Sequence, residues 1–106
     1  MENKQHNNIN FQKEIEETII LYEKTIGHFA SRTRQMIENN GIINALEKLM
    51  TTADIQKGFK ALRNNKLLDK TFEAIIIKYE NEIEIDKKAV EVAKFRYNNP
   101  YWEEKI

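Results

Sequence analysis

The sequence predicts an all-α fold: a small bundle or orthogonal array of about five helices, with a long N-terminal helix that a kink could interrupt. Three observations carry that expectation. Apolar residues recur every three or four positions along most of the chain. Only three Gly and one Pro punctuate 106 residues, too few for the tight turns of an all-β fold. Charged residues make up 32%, which suits helices with one buried stripe and a solvated outer face. The length fits one domain, with a polar, disordered tail expected over residues 1–8 and a single helical domain over 9–106.

The strongest pattern opens the chain. Ile15, Ile19, Tyr22, Ile26, Phe29, Thr33 and Met36 follow one another at alternating steps of four and three. That is the spacing of a narrow helical seam. Phe11 extends it upstream, and Ile20 and Ile37 widen it. Asn10 is the expected cap, and Asn39-Asn40-Gly41 the expected stop. Unbroken, this helix would run about 28 residues, or about 42 Å, too long for so short a domain. Two outcomes are open. Gly27 and His28 kink or break the helix, since Gly is a poor helix former. Otherwise the helix projects and buries its overhang against a partner chain.

Ile42, Ile43, Leu46, Leu49 and Met50 predict a short second helix. Thr51 or Thr52 would cap a third, with Asp54 in its first turn. That helix would bury Ile55, Phe59 and Leu62 and end at Asn64-Asn65. Asp69 is the expected cap of a fourth helix, which buries Phe72, Ile75, Ile76, Tyr79 and Ile83. Asp86 would cap a fifth, with Ala89, Val90, Ala93 and Tyr97 on its apolar stripe. Asn98-Asn99-Pro100 stops it, because Pro disfavours helical geometry in the residue before it. The tail beyond carries the only Trp, Trp102, expected to fold back on the core.

Several chemistries find no support in these residues. Without cysteine there is no disulfide, thiolate nucleophile or sulfur-based zinc site. His6 and His28 lack a second His at ligand spacing, so no metal site is expected. The pairs Glu14/Glu17 and Glu80/Glu84 lie in charged runs, where a carboxyl keeps its solvent and cannot act as a buried acid. No Gly-rich phosphate loop exists. The sequence therefore predicts neither an enzyme nor a cofactor, and no small-molecule substrate is evident. The longest apolar runs, residues 19–22 and 74–77, fall far short of the roughly 18 residues of a membrane span. A cytoplasmic protein with no membrane partner is expected.

Net charge is zero but unevenly spread. Residues 32–70 carry 8 Lys/Arg against 4 Asp/Glu, while 1–31 and 71–106 are each at −2. Two functional expectations follow. The first is a helical interaction or regulatory module that docks a protein partner or a second copy of itself, as a homodimer. Ile15, Ile19, Tyr22, Ile26 and Phe29 would be its contact positions. The alternative is a nucleic-acid-binding regulator using the basic face of residues 32–70: Arg32, Arg34, Lys57, Lys60, Arg63, Lys66 and Lys70. Its second and third helices would resemble a helix-turn-helix only in outline, since Asp54 would repel phosphate.

Overall fold

Helix α1 spans Ile9–Ile26. The computed structural model describes residues 8–51 and 53–102, and only the backbone of 53–56. The expected tail, Asn8 apart, therefore lies outside the described residues, as do His6, Thr52 and the side chains of Asp54 and Ile55. Among the described residues there are six α-helices and one 3-10 turn, and no strand.

Asn8, not Asn10, caps α1: its side chain accepts from the Phe11 N–H at 2.9 Å. Asn10 is already helical, so it has no free turn to cap. The helix buries Phe11, Ile15, Thr18 and Ile19. It stops at Gly27, which takes the left-handed conformation (φ 80°) and sends its N–H to the Glu23 carbonyl at 2.9 Å. The long helix is thus broken, and the five expected helices become six. Residues 27–30 form an elbow into α2, Ser31–Asn40. Gly41, at φ 83°, is the single residue between α2 and α3, Ile42–Leu49. A side chain at that φ would be strained.

Helix α4 spans Ala53–Asn64 and buries Phe59 and Leu62. Its end is a paired closure: Lys66 N–H to Arg63 O at 3.0 Å and Leu67 N–H to Leu62 O at 2.8 Å. Lys66 adopts the left-handed conformation that closure needs, at φ 64°. A 3-10 turn, Leu68–Lys70, follows. The cap of α5, Phe72–Tyr79, is Thr71 and not Asp69. The Thr71 hydroxyl accepts from the Ala74 N–H at 3.1 Å and donates to the Leu68 carbonyl at 2.8 Å. Asp69 is absorbed into the 3-10 turn, where Tyr97 donates to it. Asp86 caps α6, Lys87–Asn98, accepting from Lys88 N–H at 3.1 Å. Trp102 folds back as expected, its ring 5.5 Å from Phe59 and 6.2 Å from Phe95.

One core joins these elements, with Ile15, Ile19, Leu46, Leu49, Ile76 and Ala93 all nearly free of solvent. Helices α5 and α6 pair most extensively, α1 lies across α4 and α5, and α2 folds back on α3. Polar bonds fix the registers at the edges. The Thr18 hydroxyl donates to the Lys70 carbonyl at 2.6 Å. The Tyr79 hydroxyl donates to Glu14 at 2.5 Å, and this bond holds the phenol's proton, pushing its pKa up to about 12.

The centre contains an ion pair that the apolar pattern does not announce. Arg96 donates from Nη1 to Glu73 Oε2 at 3.1 Å and from Nη2 to the Met50 carbonyl at 2.8 Å. Its guanidinium also sits 5.7 Å from the centre of the Trp102 ring. Glu73 is 1% exposed, and its other oxygen, Oε1, has no hydrogen-bond partner among the described residues. Burial pushes the Glu73 carboxyl up to about 7, a shift that Arg96 only partly offsets.

Two predictions follow from this packing. Gly58 lies inside α4 with an ordinary backbone, and an added Cβ would meet the Tyr22 ring at 3.7 Å, a normal contact. Gly58→Ala should raise stability by about 0.5–1 kcal/mol in urea titration, through helix propensity. The Glu73 carboxyl binds its proton more tightly folded than unfolded, where its value is 4.5. Stability should therefore fall as pH rises from 4.5 through about 7. The loss should not exceed about 3 kcal/mol, from 1.36 kcal/mol per pKa unit. Glu73→Gln should remove that slope in denaturation curves collected across the interval.

Candidate functional site

The elbow at residues 27–30 is where the chain leaves its own pattern. A helix that ends on a left-handed glycine must turn, and the next residues lose the seam's register. Ala30 turns inward and is buried. Phe29 turns outward and is 69% exposed, the second most exposed large apolar side chain among the described residues, after Ile9 at 71%.

The elbow is fixed from both sides by Glu23 and Arg34. Glu23 Oε2 accepts from the Ala30 N–H at 2.9 Å and from Arg34 Nε at 2.7 Å. Its Oε1 accepts from Arg34 Nη2 at 2.8 Å, completing a two-pronged pair. Arg34 Nη1 reaches back to Glu16 at 3.0 Å, two turns earlier on α1. The same guanidinium lies 5.3 Å from the Phe29 ring centre. Arg34 and the Ala30 N–H hold the Glu23 carboxyl down, at about 2. Glu23 in turn raises the Arg34 pKa above its ordinary value.

Phe29 stands as a ridge between two surface hollows. One, of about 250 Å³, runs along Tyr22, Ile26, Arg32 and Lys57 and includes His28. The other is shallower, against Gln35, Ile37 and Glu38 of α2. Arg32 and Lys57 are both exposed, so the first hollow sets two cations beside Tyr22 and Ile26.

The structure divides the expected contact positions. Ile15 and Ile19 are 1% and 3% exposed in the chain's own core. They offer no surface to a partner in this fold, because α3, α5 and α6 supply the apolar cover that an unbroken rod would have lacked. Tyr22 and Ile26 are half-buried and meet Phe29 at the hollow. The basic set is divided too. Arg34 is committed to Glu16 and Glu23. Arg63 is buried, donating to the Pro100 carbonyl at 2.6 Å with Tyr101 stacked 4.3 Å away. Lys70 lies in a groove with Glu14, Glu17 and Asp69. Arg32, Lys57, Lys60 and Lys66 remain exposed, the first two on one hollow.

Sequence reasoning missed the Glu73–Arg96 pair. A signal for half of it was present: Arg96 falls three residues after Ala93 and seven after Ala89, on the buried stripe of α6. Among the described residues no group of His, Asp and Glu is placed to hold a metal ion, and no helix is long and apolar enough to cross a membrane. No protein family, curated protein or solved structure matches the chain.

The Glu23 pair has a pH signature. Its carboxyl binds a proton less readily folded than unfolded, so the pair stabilises the fold above 4.5 and that contribution is lost as pH falls through about 2. The stability difference between the wild type and Glu23→Gln should be constant near neutrality and should shrink between those values. Thermal midpoints across the acid range measure it.

Proposed function

We propose that this chain is a small, non-catalytic helical interaction module that docks a partner protein at the α1–α2 elbow, with Phe29 as the anchor. The observation that carries this reading is a large aromatic ring, 69% exposed, on an elbow pinned by the bonds of Glu23 and Arg34. A ring held in place loses little freedom on binding, which is what makes aromatic residues strong anchors. The hollow beside it sets the partner's chemistry. Apolar Tyr22 and Ile26 with Arg32 and Lys57 alongside suit an acidic segment carrying an apolar side chain. The absence of cysteine accords with a cytoplasmic setting, which is part of the proposal.

The docking surface is thus the elbow rather than the full seam. Nucleic acid is the alternative ligand, favoured by the exposure of Lys57 and Lys60 on α4 and of Arg32, which shares the hollow with Lys57.

Selection of a displayed peptide library on this chain tests the reading. Enriched peptides should combine acidic and apolar residues. Phe29→Ala should weaken them by about 30-fold, as for a hot-spot residue, and leave the thermal midpoint unchanged. Lys57→Glu should weaken them less, and more at low salt. Peptides unaffected by Phe29→Ala would overturn the proposal. Salt-dependent binding of labelled strands, abolished by Lys57→Glu and indifferent to Phe29→Ala, would favour nucleic acid instead.

A further inference from the structure

The two flanks of the Phe29 ridge carry opposite charge. The hollow of Tyr22 and Ile26 is lined by the exposed cations Arg32 and Lys57, and by no acid among the described residues. The shallower hollow is lined by Gln35, Ile37 and the exposed Glu38. Arg34, which also lines it, is committed to Glu16 and Glu23. Phe29 belongs to both hollows, so its ring stands between a cationic flank and an acidic one.

A ridge with opposite charges on its flanks is complementary to its own copy. A two-fold axis at the elbow reverses the order of the flanks in the second molecule. The ring of each copy then enters the Tyr22–Ile26 hollow of the other. Glu38 of each copy comes against Arg32 and Lys57 of the other. The hollow's space of about 250 Å³ admits a phenyl ring, since about 150 Å³ suffices for benzene. The chain carries no net charge, so copies approach without general repulsion. A polyanion would match only the cationic flank, because Glu38 repels phosphate.

We infer that the partner docked at the elbow is a second copy of this chain, in a two-fold dimer that exchanges Phe29. The inference rests on the elbow reading and names its partner. Phe29 beside Glu38 is itself an apolar side chain in an acidic setting, the chemistry the hollow suits. Each ring and each hollow is used once in a two-fold contact, so assembly closes at two copies. The contact is confined to one elbow per copy, which makes the dimer transient, below the about 1,200 Å² of a stable interface. Ile15 and Ile19 lie in the core and take no part.

Sedimentation equilibrium of this chain from about 1 µM to about 1 mM tests the inference. A reversible monomer–dimer equilibrium is expected, with no larger species. Phe29→Ala should weaken it by at least about 100-fold, since each dimer loses two rings. Lys57→Glu and Glu38→Lys should each weaken it by about tenfold, and more at low salt. An equimolar mixture of those two variants should dimerise at wild-type strength, because both crossed pairs are then opposite in charge. All three positions are exposed, so thermal midpoints should stay at the wild-type value. A chain still monomeric at about 1 mM would overturn the inference. Selected peptides that Phe29→Ala weakens would in that case leave the elbow reading standing with a different partner. A dimer indifferent to Phe29→Ala would overturn it too, as would a mixture that associates no better than its components.

Discussion

The fold depends on how a buried guanidinium is satisfied. Arg96 is 5% exposed and must find acceptors inside the protein. It finds them on two separate pieces of chain, the Glu73 carboxylate near the start of α5 and the Met50 carbonyl past the end of α3. Those acceptors can coincide at one guanidinium only if α3, α5 and α6 hold a single mutual arrangement. Apolar packing alone tolerates many near-equivalent arrangements of helices. A pair of directional bonds from one charge does not, and this is the sense in which Arg96 specifies the core while adding little net stability. Glu73 sits in the first turn of α5, where the free N–H groups of the helix favour negative charge and temper its desolvation.

Much of the rest of the fold was legible in the chain. Gly41, Asp86 and Pro100 punctuate helices where local chemistry alone demands it, and the structure uses them in those roles. The stripes of α3 and α5 bury nearly as spaced, since Leu46, Leu49, Ile75 and Ile76 have only one face on which to lie. Two caps were misplaced by two residues, at Asn10 and Asp69. In each case a neighbouring side chain, Asn8 or Thr71, was equally able to bond the free N–H groups. Local propensity cannot choose between two such candidates, and tertiary packing does.

The seam was harder to read. Spacing of four and three continues through residue 36, yet the helix stops at Ile26. Periodicity reports which residues are apolar, and it is blind to a backbone that turns left-handed between them. What it also hides is long-range electrostatics: Glu16, Glu23 and Arg34 close the elbow across two helices, and no window of eleven or even eighteen residues contains all three. The candidate site was therefore legible as a set of apolar and cationic residues and illegible as a place. Three of five contact positions converge on the hollow, and the others disappear into the interior.

Trp102 gives the molecule an intrinsic optical gauge. It is the sole indole, and it rests against Phe59 of α4, Phe95 of α6 and the guanidinium of Arg96. Its emission accordingly reports on one joint, the seat of the C-terminal turn upon two helices, with no second fluorophore of its kind to blur the signal. A red shift that precedes loss of helical ellipticity would reveal that this joint opens first.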